Sequence, residues 1–157
     1  MTTVQRSSLA LQHVALLEGL SQARLDALAQ RCQWQSVDAG TPLMLRDERK
    51  NDIFFLVSGQ LRVTTYSPAG RQVTFRDLPA GEYFGDIAAI DGKPRSADVV
   101  TLKPTVVASL DREAFFELLR EEPAVALRVM RNLTALVRQL SERVIDLSTL
   151  GVQNRIH

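Results

Sequence analysis

The sequence predicts a mainly β protein with flanking helices: an antiparallel double-stranded β-helix (jelly roll), followed by a long C-terminal helix. Two observations predict this class. Between residues 32 and 110, short apolar segments alternate with turn residues at nearly regular intervals, which is typical of antiparallel sandwiches and barrels. From Pro123 to Leu150, the chain contains no glycine and no further proline, and its apolar residues recur at helical spacing.

The first 31 residues predict two short helices. Leucines recur at helical spacing from Leu9 to Leu28, and Gly19-Leu20-Ser21 divides them. Ser21 is expected to cap the second helix, which would end near Arg31. Residues 1–8 are polar and are expected to be frayed.

The strands are separated by clear turn signals. Asp38-Ala39-Gly40 and Ser67-Pro68-Ala69-Gly70 are turn signatures, and strand-like apolar segments flank them. Seven or eight short strands are predicted, including those near residues 34–37, 42–46, 53–57, 61–65, 73–78, 97–101 and 105–110.

A glycine-rich stretch from Gly81 to Ala97 interrupts the strands. Its composition suits a loop, one or two helical turns and a second loop. Asp86 lies at the candidate first turn, where free amides and the helix dipole favour an anion. A compact loop would fold the guanidinium of Arg95 back over that helix start. A helix N-terminus that faces a guanidinium predicts a phosphate site.

Two helices are predicted after the strands. Asp111 is the expected cap of the first; Pro123 begins the second, and Gly151 is expected to end it. The second helix carries an apolar stripe at heptad-like spacing: Val129, Leu133, Leu136, Leu140 and Leu147, with Val144 beside it. This stripe either packs on the chain's own sheet or forms a dimerisation seam with a second copy, and its length favours a homodimer.

Composition and charge exclude several classes of protein. The formal net charge is +1, which gives no electrostatic footprint for nucleic acid or membrane. The single cysteine, Cys32, allows no intrachain disulfide and cannot hold an iron–sulfur cluster. Neither a signal peptide nor a run of membrane-span length is present, so we expect a cytoplasmic protein with no membrane partner.

Catalysis is not expected from this sequence. Metal-dependent enzymes of the double-sheet class hold their metal on histidines from the strands, and residues 32–110 contain none. His13 and His157 lie far apart in sequence, so neither a metal site nor a Ser/His/Asp or Cys/His set is predicted. A pure dimerisation module is the other alternative. It would explain the apolar stripe but not the pattern from Gly85 to Ala97.

The chain resembles the cyclic-nucleotide-binding domain of CRP/FNR-type bacterial transcription regulators, which kinase regulatory subunits and gated channels share. Phe84-Gly85-Asp86-Ile87-Ala88 with Pro94-Arg95-Ser96-Ala97 corresponds to the family's phosphate-binding cassette. The resemblance covers nearly the whole chain. It implies N-terminal helices at 1–31, a β-roll core at 32–110 with its cassette at 84–97, and C-terminal helices at 111–150.

The resemblance also implies a set of ligand-binding residues: Gly85, Asp86, Ile87, Ala88, Arg95, Ser96, Leu140 and Ser141. Arg95 would pair with the cyclic phosphate of cAMP or cGMP, and the amides of Ala88 and Ser96 would bond the same group. Gly85 and Asp86 would face the ribose 2′-hydroxyl.

The long helix would complete the pocket. Leu140 and Ser141 would approach the base, with residues from both subunits of a homodimer. In the family, filling the pocket shifts this helix, so the domain acts as an allosteric sensor in signal transduction.

Two positions depart from the family pattern. Asp86 replaces the usual cassette glutamate, and a carboxylate that is one methylene shorter reaches the ribose through water or not at all. Leu140 stands where adenine-binding regulators carry a hydroxyl, and leucine cannot hydrogen-bond an exocyclic amine. The base therefore stays open between cAMP and cGMP. The alternative is a degenerate member that binds another small ligand or none and acts as a dimerisation module.

The end of the sequence points to an output domain. In the regulators, a winged helix-turn-helix follows the long helix, and residues 151–157 resemble the start of its first helix. We expect this chain to be the sensor half of a regulator that contacts DNA only through a domain absent from the chain.

Overall fold

The computed structural model describes residues 3–156 of the backbone and the side chains of residues 7–72 and 75–146. The chain forms two compact units, one up to Leu118 and one from Leu119 onward.

The first unit contains the sheets and most of the helices. Among the described residues, its eight strands are β1 (Gln33–Val37), β2 (Pro42–Met44), β3 (Ile53–Ser58), β4 (Gln60–Tyr66), β5 (Gln72–Pro79), β6 (Tyr83–Phe84), β7 (Ala97–Thr101) and β8 (Thr105–Leu110). The helices in the described part of the chain are α1 (Thr3–Leu11), α2 (Gln22–Arg31), α3 (Asp86–Asp91), α4 (Arg112–Glu121) and α5 (Pro123–Ile156), with a 3-10 turn at Ala15–Leu17.

Two antiparallel four-stranded sheets form the predicted jelly roll. One has the strand order β1-β8-β3-β6 and the other β2-β7-β4-β5. Apolar residues of both sheets share one core, because alternate side chains of each strand face the other sheet. This core cluster contains Met44, Leu56, Leu61, Leu78, Phe84, Ala97, Val99 and Val107. The fold class predicted from the sequence is confirmed.

The caps predicted for two helices are present. The hydroxyl of Ser21 accepts a hydrogen bond from the Arg24 amide at 3.1 Å, and Oδ1 of Asp111 accepts one from the Ala114 amide at 2.7 Å. The prediction for the first helix was wrong, because α1 lies at Thr3–Leu11 and only a 3-10 turn follows it. A polar segment can form a helix when tertiary contacts stabilise its apolar face.

The long helix is also longer than predicted. It begins at Pro123 as expected, but it continues through Gly151 to Ile156. Glycine inside a helix costs about 1 kcal/mol relative to alanine, so one glycine need not end a long helix. Residues 151–156 extend this helix, and the expectation that residues 151–157 begin another domain stays a prediction.

Several observations limit the chemistry available to the described residues. None of their helices combines the length and hydropathy that a bilayer span requires. In the same part of the chain, no group of three or more His, Cys, Asp or Glu residues is placed to hold a metal ion. Burial and the nearby Asp111 carboxylate raise the pKa of the Cys32 thiol to about 12, so this thiol stays protonated at neutral pH.

Candidate functional site

The candidate site is built around α3, a helix of six residues between two left-handed glycines. Gly85 precedes it with φ of 84°, and Gly92 follows it with φ of 70°. Residues with a side chain rarely adopt these backbone angles, whereas glycine does so without steric cost. The short strand β6 leads into α3 and pairs with β3, with Phe84 opposite Phe54. This pairing attaches the start of the cassette to the sheet.

Arg95 returns to the start of α3, and its side chain is almost completely buried. The residue is 3% exposed. Its Nη1 donates a hydrogen bond to the carbonyl of Gly85 at 3.0 Å, and its Nη2 donates one to the carbonyl of Asp52 at 2.8 Å. The guanidinium also lies 5.8 Å from the ring centroid of Phe54. Two main-chain segments that are distant in sequence therefore meet at this side chain.

The charge of Arg95 is not neutralised by direct contact. Among the described residues, no carboxylate forms an ion pair with its guanidinium, and its buried Nε–H has no hydrogen-bond acceptor. Burial lowers the pKa of Arg95, while the more distant carboxylates of Asp52, Glu48 and Asp86 raise it. Carbonyl dipoles compensate only part of the cost of burying a cation, so the site favours an added anion.

The loop between β2 and β3 holds the main chain of Arg95. The amide of Arg95 donates to the carbonyl of Glu48 at 2.7 Å, and the amide of Asp47 donates to the carbonyl of Arg95 at 2.9 Å. Asp47 adopts a left-handed φ of 72°, a strained conformation for a residue with a side chain. Sequence reasoning assigned this segment only a charged turn, and no local signal connects it to Arg95.

The ring of Phe54, which lies near the guanidinium of Arg95, stacks on a second aromatic ring. The rings of Phe54 and Phe84 stack with centroids 4.8 Å apart and planes 1° from parallel. Their side chains come from paired positions of β3 and β6, so the register of the sheet places them together. The sequence marked Phe84 as part of the cassette but gave no sign of its pairing with Phe54.

Asp86 carries a perturbed carboxyl group at the first position of α3. Burial raises the pKa of this carboxyl, and the main-chain amides of Asp86 and Ile87 with the guanidinium groups of Arg76 and Arg95 offset part of the effect. Arg76 lies on β5, opposite Val63 of β4. Sequence reasoning did not select Arg76, because pairing of β4 with β5 is needed to locate it.

The other predicted cassette residues have different environments. Ala88 is buried, whereas Ile87 and Ser96 are exposed. Leu140 and Ser141 lie on α5 in the second unit, and both are exposed. The ligand-binding roles of these residues stay predictions.

The predicted dimerisation stripe on α5 is only partly exposed. Val129 is 3% exposed, so its side chain is buried and does not belong to the exposed face of the helix. Leu133 and Leu136 are half-buried, while Leu140 and Val144 are 50% and 62% exposed. The side chain of Leu147 lies outside the described residues.

Two residues that were not predicted extend the exposed stripe. Met130 and Val137 are 55% and 60% exposed. We call Met130, Leu133, Val137, Leu140 and Val144 the α5 stripe; their alternating three- and four-residue spacing is that of a coiled-coil seam. The structure buries Val129 and exposes Met130 and Val137, while the dimerisation role of the predicted stripe stays a prediction.

Residues 34–122 match the family described as Cyclic nucleotide-binding domain, which is more than half of the chain. The chain belongs to this family. The resemblance predicted from the cassette residues is confirmed, and a cyclic nucleotide is the ligand expected for a domain of this kind.

Individual relatives of this cyclic nucleotide-binding domain include proteins of different types. It is 29% identical over 139 residues to the Cyclic AMP receptor protein of Thermus thermophilus. The match covers 88% of this chain and 62% of that protein. It is 36% identical over 113 residues to isozyme 1 of the cGMP-dependent protein kinase of Drosophila melanogaster, covering 69% of this chain and 15% of the kinase.

The fold also matches a solved structure. The regulatory domain of Toxoplasma gondii PKA with cAMP superposes with a TM-score of 0.73 at 22% identity, over 82% of this chain and 49% of that one. This similarity concerns the fold alone.

The relatives include transcription regulators as well as enzymes. The chain spans between 59% and 65% of the length of the cAMP-responsive transcription regulators that it matches. The protein kinase is an enzyme, but the match covers only a small share of it. The domain itself is therefore a binding domain of the kind found in regulators, and the activity of the whole protein is a separate question.

The close approach at Gly85 predicts a specific stability effect. A methyl group added there would lie 2.8 Å from the carbonyl oxygen of Asp52 and 3.0 Å from Nη1 of Arg95. Gly40 has a similar φ of 80°, yet an added methyl group would meet no atom within 4 Å. We expect Gly85→Ala to lower the free energy of unfolding by about 1–3 kcal/mol more than Gly40→Ala, as crowded sites do. Urea unfolding of both variants tests this. An equal decrease in the free energy of unfolding in the two variants would show that the site at Gly85 is not crowded.

The raised pKa of Asp86 predicts a pH-dependent stability. The folded protein binds a proton at this carboxyl more tightly than the unfolded chain does, so the group's contribution becomes less favourable as pH rises through the folded-state pKa. Asp86→Asn removes this titration. We expect the variant to gain stability relative to the wild type on going from acid to neutral pH. Thermal unfolding across that range provides the measurement, and a constant difference between the two proteins would contradict the assignment.

Proposed function

We propose that this chain is the ligand-sensing domain of a CRP/FNR-type transcription regulator. In this proposal, it binds one cyclic nucleotide, cAMP or cGMP, and relays occupancy of the pocket through α5 to a DNA-binding domain absent from the chain. Family membership, the cassette sequence and the regulators among the relatives support the proposal.

One observation carries the proposal: Arg95 is a buried cation with no contacting anion among the described residues. A guanidinium has five N–H donors, and here one donor on each Nη atom binds a carbonyl. The Nε–H, which has no acceptor, and a remaining Nη–H suit two oxygens of a single phosphate. A bound phosphate would supply both the missing acceptor and the missing negative charge.

The other cassette residues complete the proposed pocket. The amides of Ala88 and Ser96 would bond the same phosphate, and Gly85 and Asp86 would face the ribose. Both Arg76 and Arg95 act on the carboxyl group of Asp86 electrostatically. The short side chain of Asp86 makes a water-bridged contact to the ribose the expected one.

The base-binding part of the proposal involves α5. Leu140 and Ser141 would approach the base, and Leu140 can contribute only apolar contact because it has no hydrogen-bonding group. The relatives include both a cAMP receptor and a cGMP-dependent kinase, which leaves the choice of base to experiment.

The α5 stripe supports a homodimer as the relaying unit. Its exposed apolar residues would be covered by the same residues of a second copy. The base of cAMP or cGMP would then contact α5 residues of both subunits. A ligand shifts the regulator only to the extent that it binds one arrangement of this helix more tightly than another.

Isothermal titration calorimetry with cAMP and with cGMP tests the nucleotide site. We expect at least one of them to bind, and Arg95→Gln to weaken that binding roughly 10- to 100-fold, because it removes hydrogen bonds from a charged donor worth about 1.5–3 kcal/mol. Arg95→Lys should give an intermediate affinity, since it keeps the charge but loses the bidentate geometry.

Arg71→Gln is the matched control for this experiment. Arg71 is an exposed arginine in the turn before β5, and its substitution changes the net charge by the same amount. Urea unfolding of each variant separates loss of the fold from loss of the site. Unchanged affinity in a folded Arg95→Gln variant would rule out the proposed phosphate contact. If neither nucleotide binds the wild type, the dimerisation module becomes the better reading.

Sedimentation velocity of the wild type and of Leu140→Asp tests the homodimer. A charge placed in a buried seam without a partner costs about 3–5 kcal/mol, so we expect the variant's dissociation constant to rise more than ~100-fold. Gln139→Asp, one residue away and outside the α5 stripe, should remain dimeric. A monomeric wild type, or a Leu140→Asp variant that dimerises equally well, would contradict the seam.

A further inference from the structure

A second arginine contacts α3 at the end opposite Arg95. Arg112, the first residue of α4, donates from Nε to the carbonyl of Ala89 at 2.6 Å and from Nη2 to the carbonyl of Ile90 at 3.3 Å. The last carbonyls of a helix receive no hydrogen bond from an amide of the same helix, and they form its negative end. Arg112 therefore satisfies two of the carbonyls at the end of α3 and compensates part of their charge.

The guanidinium of Arg112 is itself held in place. It lies 4.8 Å from the ring centroid of Phe116, which is one turn further along α4. A methyl group added at Gly92 would lie 3.5 Å from Nη2 of Arg112, so the turn after α3 also passes close to this side chain. Arg112 thus connects the last turn of α3 to the first turn of α4.

The helix between the two arginines is too short to absorb a displacement. It has six residues, and its members Ala88 and Ala89 are buried. The hydrogen bonds from the Ala89 amide to the Gly85 carbonyl and from the Gly92 amide to the Ala88 carbonyl link its two ends. A change at the Gly85 carbonyl, which Arg95 contacts, is therefore expected to move the end that Arg112 contacts.

We propose that Arg112 is a positioning residue that couples the cassette helix α3 to the start of α4. Through its contacts to Ala89 and Ile90, a displacement of α3 would also displace the first turn of α4. This inference rests on the proposed function for its trigger, a nucleotide at Arg95. The coupling itself is a property of the ligand-free chain and is tested without a nucleotide.

Hydrogen exchange of two amides measures the coupling in the whole chain. The Gly92 amide reports on the end of α3, and the Phe115 amide, which donates to the Asp111 carbonyl, reports on the first turn of α4. In the ligand-free protein, we expect Arg112→Gln to raise the exchange rate of Gly92 on the order of tenfold, because hydrogen bonds from a charged group are lost. Arg112→Lys should restore part of the protection, and Arg120→Gln, an exposed arginine of the same helix, should have no effect.

A perturbation at the other end of α3 then tests transmission. Gly85→Ala disturbs the start of α3, and we expect it to change the exchange rate of Phe115 when Arg112 is present and to have little effect in the Arg112→Gln background. A structural role alone would not make the response of Phe115 depend on Arg112. Saturating cAMP or cGMP should act like Gly85→Ala if the proposed function is correct.

The outcomes separate the two proposals. Unchanged Gly92 exchange in Arg112→Gln, or a Phe115 response to Gly85→Ala that is absent in the wild type or persists without Arg112, would overturn the coupling. Absence of nucleotide binding would count against the proposed function alone, since Gly85→Ala still decides whether Arg112 couples the two helices.

Discussion

The fold of the cassette depends on one buried cation. The guanidinium of Arg95 is enclosed by the chain, and main-chain carbonyls of Gly85 and Asp52 are its acceptors. A buried charge is costly unless other groups compensate it, so these two carbonyls must stay in place for the arginine to remain buried. One of them precedes α3 and the other precedes β3. The cation therefore joins the cassette to the sheet, and the same incomplete compensation makes the position suitable for a phosphate.

The segments around Arg95 show why a rigid scaffold is needed. The loop between β2 and β3 pairs with the main chain of the arginine through Asp47 and Glu48, and Asp47 tolerates a left-handed conformation there. Strained geometry persists only where the surrounding structure determines it. The two sheets and their common core provide that determination. At the far end of α3, the contact of Arg112 with Ala89 links the same scaffold to α4.

Family membership and site geometry support different parts of the functional argument. The match over residues 34–122 establishes a cyclic nucleotide-binding domain. The α5 stripe lies beyond those residues, and its exposed apolar side chains are the basis for the proposed homodimer. Because the regulators related to this chain are longer than it, output through DNA belongs to the proposal rather than to the domain. The proposed function combines a nucleotide site with a dimer seam, and an allosteric sensor needs two such coupled sites.

Local patterns in the sequence determined most of the secondary structure, the helix caps at Ser21 and Asp111, and the cassette with Arg95. Strand alternation, capping and turn preference act over a few residues, which makes them readable without a fold. The carbonyl of Asp52, 43 residues from Arg95, and the contact of Arg112 with Ala89, 23 residues away, were decided only by the tertiary structure. The tertiary structure also decided the pairing of β4 with β5, which places Arg76. It likewise decided that Met130 is exposed and Val129 is buried. Such contacts depend on which segments pack together, and neither spacing nor composition encodes that directly. The prediction that Gly151 ends α5 was wrong for a related reason. A helix ends where its total stabilisation is lost rather than at its weakest residue.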